Sequence, residues 1–468
     1  MEVAPAADDA VEVIPTADDG VEVDPRAEDA AWRRERRVLV PIALAANLGF
    51  NIFAPFLPLY VRDLGVDDPH VAAAWAGAAL GVSPLGAALT SPFWGMLADR
   101  TGTKIMLQRA LVASVVLYLA MSAVQSPIQL FVLRAAFGLF GGFGPLMLAR
   151  AAAVAPRSMV SQAVGLVQGL QLAGLAVAPL LGGPLADLVG LRHTVLATAG
   201  LYCLALLLAT FGLRDHGPRP GDEQVGVSAP RTGAISVSEP ESRASRAAFS
   251  VRALLSGQAT WMASLALVLL VTQLVDRGLA PVLPLYVASL DVPEGLLGTT
   301  TGLLVGASGL SAAASAAAFG RLARRVSFVL LLGCGLVGAA AFCVGMLVAP
   351  TLGLFAAARV GMALLIGCVA TLCYSAAARR ARLDRTASTI GLLATASFLG
   401  NAAGPALGGL MGAGDLRRVF AIDGVLLLLA GLFAASVLRR LARHPSEDPA
   451  EVAPARISDW SPRPTRRA

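Results

Sequence analysis

The chain has 468 residues, of which 56% are hydrophobic and 15% charged, and its mean hydropathy is +0.69. Soluble globular domains carry about 25% charged residues, so this composition excludes a soluble protein and favours one that crosses a membrane several times. The net charge of +6 comes largely from arginines that flank apolar segments, so it reflects membrane topology and we expect no nucleic-acid partner.

Residues 1–37 are predicted to form a disordered, acidic, cytoplasmic N-terminal tail. Three imperfect decapeptides near the start, EVAPAADDAV, EVIPTADDGV and EVDPRAEDAA, contain too few apolar side chains to bury a core. The segment has ten acidic residues in its first thirty and lacks the basic region and cleavage site of a signal peptide. We therefore expect the first apolar span to stay in the mature protein.

Twelve apolar segments follow the tail, each long enough to cross a bilayer as a helix. The N-terminal half, 38–213, holds predicted spans at 38–61, 71–94, 105–125, 128–149, 160–183 and 194–213. A cytoplasmic linker at 214–258 precedes the C-terminal half, 259–440, with spans at 259–287, 296–319, 327–349, 351–377, 387–412 and 417–438. Residues 441–468 are predicted to be a cytoplasmic tail. The predicted fold is an all-α polytopic membrane protein with two six-helix halves.

Basic residues are distributed unevenly between the two sides of the predicted bundle. Twelve Arg or Lys lie in or beside the loops after spans two, four, eight and ten, against four on the other side. Four more arginines lie within 33–37, just before span one. Cytoplasmic loops carry the excess of Arg and Lys, so we predict a multi-pass protein of the cytoplasmic (inner) membrane with both termini in the cytoplasm.

The two halves repeat each other at an offset of 225 or 226 residues. PFLPLYV at 55–61 returns as PVLPLYV at 281–287, and Arg134 in span four returns as Arg359 in span ten. The longest match relates a string in span five to one in span eleven: Gly165, Gly174, Pro179, Gly182 and Gly183 correspond to Gly391, Gly400, Pro405, Gly408 and Gly409, with Gly404 in place of Ala178. Such halves imply a pseudo-two-fold axis along the membrane normal and a site near midplane.

These motifs resemble those of the major facilitator superfamily over roughly 38–440. GMLADRTGTK at 95–104 is similar to its loop signature between helices two and three, with Thr103 where a basic residue is usual. The span-five string resembles the antiporter signature of the drug-efflux branches. Leu48-Gly49 with Pro55 and Pro58 resembles the first-helix signature of the twelve-helix drug:proton antiporters, and Arg134 with Gly138 the fourth-helix signature, although Phe137 replaces a glutamine. The resemblance implies the major facilitator fold, and we expect a monomer without a cofactor.

The resemblance also implies a gate at the cytoplasmic end, made of Gly95, Asp99, Arg100, Gly102 and Lys104. The Asp99 carboxylate would meet the N-terminus of helix eleven at 386–389, whose partial positive charge stabilises an anion by roughly 0.3–2 kcal/mol. That contact would favour the state closed to the cytoplasm. A solvated turn that carries topogenic charge is the alternative.

The glycines of span five have spacings that let helix backbones approach closely. The resemblance implies that Gly174, Pro179, Gly182 and Gly183 make a helix that seals the central cavity against leak and so favours exchange. Ordinary helix packing is the alternative, and it is compatible with the first interpretation.

Polar residues inside the spans indicate a central cavity, because a charge that faces lipid is costly. At 1.5 Å per residue, five of them lie about 10–16 Å below the outer ends of their helices: Asn51, Arg134, Asp276, Arg277 and Arg359. They belong to helices one, four, seven and ten, which line the cavity in the superfamily. We predict a substrate cavity formed by Asn47, Phe50, Asn51, Phe137, Gln273, Arg277 and Tyr374, with aromatic packing as the alternative for the rings.

Asp276 is the only carboxylate that the sequence analysis places deep inside a span. Burial favours the protonated form of a carboxyl group and a nearby arginine favours the ionised form. We therefore hypothesise that Asp276 is the exchangeable proton site, with Arg134, Arg359 or Arg277 as its counter-charge. A permanent Asp–Arg pair is one alternative, and an anionic substrate bound by Arg277 and Arg359 is another. Helix one has no acid of its own, in contrast to several drug antiporters.

The leading functional hypothesis is a secondary transporter that exports small amphipathic compounds in exchange for protons by alternating access. Proton-coupled uptake of a sugar or organic acid by the same fold is the alternative. The leading hypothesis requires no nucleotide site, and no nucleotide-binding loop is present. A membrane-embedded enzyme is disfavoured because the four histidines are scattered in loops and tails, and a membrane scaffold because it would not need a matched polar layer. The five cysteines lack metal-ligand spacing, so no metal and no enzymatic activity is expected.

Overall fold

The computed structural model describes residues 25–213, 257–293, 295–322, 325–380 and 386–443. Residues 1–24, nearly all of the predicted linker and the C-terminal tail beyond 443 lie outside the described residues.

The described part of the chain folds into helices. Those of the N-terminal half are α1 (Pro25–Phe53), α2 (Leu57–Asp63), α3 (Pro69–Thr101), α4 (Thr103–Ser122), α5 (Pro127–Phe140), α6 (Phe143–Val154), α7 (Val160–Val189) and α8 (Leu191–Gly212). Those of the C-terminal half are α9 (Gly257–Gly278), α10 (Leu283–Ala288), α11 (Leu297–Leu322), α12 (Phe328–Val348), α13 (Leu352–Arg380), α14 (Thr386–Gly412) and α15 (Leu416–Arg443).

These helices reproduce the twelve predicted spans. Eleven segments of the described residues are long and apolar enough to cross a membrane, and α14, with 27 residues, is the predicted eleventh span. Spans one, four and seven are each built from two helices, α1 with α2, α5 with α6, and α9 with α10. The all-α polytopic fold is confirmed.

The first helix begins earlier than predicted, at Pro25 rather than near residue 38. Residues 25–37, expected to be part of the disordered tail, are helical, and Trp32 and Glu35 in this segment have partners in the bundle. Trp32 is buried, and the Glu35 carboxylate accepts bonds from the Arg150 guanidinium on α6, Nη2 to Oε1 at 2.6 Å and Nε to Oε1 at 2.9 Å. With the two residues only 2% and 5% exposed, this ion pair anchors the start of span one.

Three spans are interrupted where the sequence carries proline or glycine. A 3₁₀ turn at Ala54–Phe56 separates α1 from α2, and residues 279–282 separate α9 from α10, so both PxLPLYV stretches coincide with a break. Gly142, at φ +64°, separates α5 from α6. The equivalent position in span ten is helical, since α13 is continuous from 352 to 380.

The two halves meet along two helix pairs, α3 with α14 and α7 with α11. We call the end of the bundle that contains α2 and α10 the closed end, and the end that contains Gly102 and the α6–α7 junction the arginine-rich end. His70 and Gly412, Gly77 and Gly409, Gly183 and Gly298 all meet across the halves near the closed end.

Candidate functional site: a charged layer between the two halves

Asp276 and Arg359 form an ion pair inside the C-terminal half. Asp276 lies two residues before the end of α9, and its Oδ1 accepts a hydrogen bond from Arg359 Nη2 on α13 at 3.0 Å. The Asp276 side chain is 29% exposed, whereas Arg359 is buried. The carboxylate is therefore both neutralised by a buried arginine and open to the space around it.

Arg277 is the second cation near this carboxylate. Its Nε lies 4.0 Å from Asp276 Oδ2, and its side chain is 36% exposed. Its Cβ faces the helix surface at Gly404, where an added methyl group would lie 3.0 Å away. The arrangement is compatible with either a counter-charge for Asp276 or a contact to an anionic ligand.

Arg134 occupies the equivalent position of the N-terminal half but has different neighbours. It is 2% exposed on α5, and its Nη1 donates to the Tyr118 hydroxyl on α4 at 3.3 Å. Its Nε and Nη2 have no hydrogen-bond partner in the described ranges. Within those ranges Arg134 makes no ion pair with Asp276, so Arg359 and Arg277 are the counter-charges observed in this state.

An aromatic cluster surrounds Arg134. Tyr118 contacts Phe137 edge to face with ring centroids 5.3 Å apart, and Tyr202 lies 5.4 Å from Tyr118. Phe50 stacks on Phe137 at 6.0 Å and is 37% exposed. Phe50 thus offers an open ring, whereas Phe137 is buried behind it. On the other half, the Tyr374 hydroxyl lies 3.5 Å from Ser397 Oγ.

The amides of helix one are less available than the cavity prediction requires. Asn47 Nδ2 donates to Ala43 O at 2.7 Å, and Asn51 Nδ2 donates to Asn47 O at 2.9 Å. Both side chains are buried. Asn47 packs against Gly174 of α7, where an added methyl group would lie 2.8 Å from the Asn47 Cβ.

The glycine strings of spans five and eleven make matching contacts. Gly174 faces Asn47 of α1, and the equivalent Gly400 faces Gln273 of α9, where an added methyl group would lie 2.7 Å from the Gln273 Cβ. Gly182 and Gly408 continue these two contacts, against Ile52 and Gly278 respectively. Close helix approach is therefore a structural role of both strings.

The neighbouring faces of the same strings join the two halves. A side chain at Gly183 would collide with the backbone of Gly298 on α11, and one at Gly409 with Gly77 on α3. The Pro179 carbonyl abuts Gly302 and the Pro405 carbonyl abuts Gly77 in the same way. A methyl group added at Gly165 would meet no other described part of the structure within 4 Å. The Gly391 carbonyl accepts a hydrogen bond from Thr395 Oγ1 at 2.9 Å.

Asp187, which the sequence analysis did not select, links the halves at the closed end. Its carboxylate accepts bonds from the backbone N–H groups of Gly298 at 2.7 Å and Thr299 at 2.6 Å, at the start of α11. A carboxylate at a helix N-terminus satisfies free N–H groups and the positive end of the dipole. The resemblance implied such a contact between a carboxylate and a helix N-terminus for Asp99. The structure contains one at the opposite end of the helix bundle, made by Asp187. Its position just after the glycine string was the available sequence signal.

The predicted gate lies at the arginine-rich end. Gly102 separates α3 from α4 with φ +88°, and Arg100 is exposed. A methyl group added at Gly95 would meet no other described part of the structure within 4 Å. The Asp99 side chain and the 386–389 side chains lie outside the described ones, so the predicted contact between them stays a prediction. Lys104 follows at the start of α4.

Thr103, the departure from the usual loop signature, has a partner of its own. Its hydroxyl accepts from Arg150 Nη1 at 3.3 Å, the same guanidinium that binds Glu35. This contact ties the loop between α3 and α4 to α6 and to the start of α1.

Asp423 is a second buried carboxylate that the sequence analysis missed. It lies in the second turn of α15, within the predicted span 417–438, and is 2% exposed. It interacts electrostatically with Arg359 and Asp276. The prediction that Asp276 is the only carboxylate deep in a span is therefore wrong, because Asp423 is also buried within a predicted span.

Two pseudo-symmetric six-helix halves around a buried charged layer define a multi-pass membrane transporter. The model of the Major Facilitator Superfamily matches residues 39–330 and 265–467. The chain belongs to this superfamily, which confirms the resemblance in its motifs.

Similar proteins include multidrug transporters. The chain is 30% identical over 415 residues to Multidrug resistance protein MdtG of Salmonella heidelberg (strain SL476), covering 87% of this chain and 96% of that protein. It is 32% identical over 296 residues to MdtG of Salmonella paratyphi A (strain ATCC 9150 / SARB42), covering 63% and 68%. A bacterial homologue of the human lysosomal transporter Spinster, inward-facing and unoccupied, superposes with a TM-score of 0.67, covering 88% of this chain and 98% of that one. At 16% identity, that likeness shows the fold alone.

Proposed function

We propose that the protein exports small amphipathic compounds in exchange for protons by alternating access, with Asp276 as the proton site. The observation that carries the proposal is the Asp276–Arg359 pair, in which a partly exposed carboxylate faces a buried arginine. Protonation of Asp276 from solution would break the pair, and release of the proton would restore it. The similarity to multidrug resistance proteins supports export as the direction.

The state of the bundle supports alternating access. The halves contact each other at the closed end, whereas Leu89, Phe93 and Phe398, nearer the arginine-rich end, are 72%, 55% and 68% exposed. The excess of Arg and Lys assigns the arginine-rich end to the cytoplasm. On that assignment, the structure represents an inward-open state of a transporter in the cytoplasmic membrane, ready to take substrate from the cell interior.

The exposed rings support an amphipathic substrate. Phe50 and Phe398 are 37% and 68% exposed, and Arg277 offers a partly exposed charge. Flat apolar ligands stack on such rings, gaining about 0.5–1.5 kcal/mol beyond the burial of area.

A proteoliposome assay tests the proposal. The full chain is reconstituted with an inside-acid gradient, and uptake of a cationic dye, a neutral lipophile and a sugar is measured for the wild type and for Asp276→Asn. Asp67→Asn is the matched control, because Asp67 is an exposed loop acid.

The expected result is gradient-driven dye accumulation that is lost in Asp276→Asn and retained in Asp67→Asn. Sugar uptake coupled to proton movement in the same direction would overturn export. Normal accumulation by Asp276→Asn would overturn the proton site, and binding of organic anions that depends on Arg277 would favour the anionic-substrate alternative.

A further inference from the structure

Arg359 has more hydrogen-bonding capacity than Asp276 uses. Its Nη2 donates to Asp276 Oδ1 at 3.0 Å, but its buried Nε and Nη1 have no partner in the part of the chain that the structure describes. Leaving buried donors of a charged group unpaired is unfavourable. The guanidinium is therefore placed to form further bonds without leaving its position on α13.

Asp423 has a buried acceptor, Oδ2, that lacks a hydrogen-bond donor among the described residues. Arg359 and Asp276 are the charged groups that act on it. An ionised carboxylate is costly in such a place unless it is paired, and the neutral acid avoids that cost.

The surroundings of Asp423 contain few other titratable groups. On α12, Cys343 is close enough to interact electrostatically with Asp423 and donates its thiol to the Met362 sulfur at 3.4 Å. On α10, Tyr286 contacts Phe420 edge to face with ring centroids 5.0 Å apart, and the Arg417 guanidinium lies 6.0 Å from the Tyr286 ring. Arg359 from α13 and Asp276 from α9 remain the groups that can exchange charge with Asp423.

We propose that Asp423 is the alternate partner of Arg359, so that one exchangeable proton is shared by Asp276 and Asp423. The inference rests on the proposed role of Asp276. With the proton on Asp423, Arg359 pairs with Asp276, as observed. With the proton on Asp276, Arg359 pairs with Asp423 instead. In neither form does the buried guanidinium lose its anion.

The charges of this cluster balance without an outside ion. When the shared proton has left, two carboxylates face two guanidinium groups, those of Arg359 and Arg277, and the sum is zero. One bound proton gives a net charge of +1, with Arg277 partly exposed to solvent. The proton enters and leaves through Asp276, because Asp276 is 29% exposed and Asp423 only 2%.

Infrared difference spectroscopy of the purified full chain tests the proposal without a substrate. The C=O stretch of protonated carboxyl groups is followed as a function of pH in the wild type, Asp276→Asn, Asp423→Asn and the double variant. Asp415→Asn is the control, because Asp415 lies at the start of α15 and accepts a bond from the Arg417 N–H at 2.9 Å, away from the layer.

Sharing predicts that the double variant lacks a component of the titrating carboxyl band of the wild type and that each single variant keeps this component. In Asp423→Asn the midpoint moves to lower pH by about one unit, because protonation of Asp276 would then leave Arg359 without an anion. A band that is absent from Asp276→Asn and unchanged in Asp423→Asn would overturn the proposal.

Asp423→Glu guards against a variant that does not fold. It keeps the carboxyl group, so the band should remain at a shifted frequency, and an unshifted band would overturn the proposal. Dye export is measured on the same preparation. A wild type without export would refute the proposed function, whereas the infrared titration would still decide the role of Asp423.

Discussion

The two arginines of the central layer occupy equivalent positions of the repeat and have opposite surroundings. Arg134 is enclosed by aromatic rings and bonds to a neutral hydroxyl, whereas Arg359 pairs with a partly exposed carboxylate. At the repeat offset of 226, the position of Asp276 corresponds to Phe50. The repeat thus preserves the cation and the backbone contacts, but one position of the first helix of each half differs, since Asp276 pairs with Arg359 and its equivalent is Phe50.

Replacing each arginine by glutamine should give the largest difference between the halves. Arg359→Gln removes the cation that pairs with the Asp276 carboxylate, so Asp276 stays protonated. Gradient-driven dye accumulation should fall about tenfold or more, because breaking a buried ion pair costs about 3–5 kcal/mol. Arg134→Gln should lower stability but leave the pH dependence of transport unchanged. Transport is measured in proteoliposomes at several pH values. Equal shifts of the pH profile in the two variants would show that both arginines serve the same proton.

Glycine substitutions test where the halves are alike. Gly174→Ala and Gly400→Ala each place a methyl group within 2.8 Å of the neighbouring helix, and both should lower the free energy of unfolding by about 1–3 kcal/mol. Gly169→Ala is the control, because no described atom lies within 4 Å of its added methyl group. Thermal unfolding in detergent measures the effect. A loss of stability in only one of the two variants would mean that the equivalent glycine contacts do not contribute equally to stability.

The tyrosines beside Arg134 provide a finer test. Tyr118→Phe removes the hydrogen bond at 3.3 Å to Arg134 and should cost about 1–2 kcal/mol of stability, because the buried guanidinium loses an acceptor. Tyr202→Phe should change stability by less than about 0.5 kcal/mol, since the Tyr202 hydroxyl has no partner in the described structure. Thermal unfolding compares the two. A larger loss in Tyr202→Phe would disprove this account of the aromatic cluster.

At the closed end the carboxylate lies in the N-terminal half and not in the C-terminal half. We expect its replacement to have the smallest effect of those considered. Asp187 of the N-terminal half caps α11, whereas the equivalent position of the C-terminal half is Ala413. Asp187→Ala should shift the conformational equilibrium away from the closed form by about 0.5–2 kcal/mol. Asp68→Ala is the control, because Asp68 caps its own helix by accepting from the His70 N–H at 2.8 Å.

Spin labels at positions 62 and 289, in a background without the native cysteines, report the separation of the halves at this end. The distance distribution should broaden toward longer distances in Asp187→Ala and stay as in the wild type in Asp68→Ala. Identical distributions in all three proteins would mean that the cap does not hold the halves together.

The sequence predicted the fold and offered Arg359 as one of three candidate partners of Asp276, because both inferences depend on information along single helices. Hydropathy located the spans, and the depth of Asp276 and Arg359 along α9 and α13 placed them in one layer. It could not predict that Arg134 bonds to Tyr118 or that Asp187 reaches α11, because such contacts depend on the rotation of each helix about its axis. Asp423 was within reach of the same depth argument, but it lay near a predicted helix end. The helix at 25–37 was missed because Glu35 finds its partner, Arg150, far along the chain.

The glycine contacts between the halves have a consequence for the thermodynamics of opening. Side chains that interlock lose rotamer freedom each time two surfaces come together. The entropic cost reaches about 2 kcal/mol for a long side chain. Gly77, Gly183, Gly298 and Gly409 have no side-chain rotamers to lose, and their neighbours are largely backbone atoms. Parting and rejoining this surface therefore changes little conformational entropy, and the balance between the two forms rests on a few polar bonds that a bound ligand or proton can outweigh.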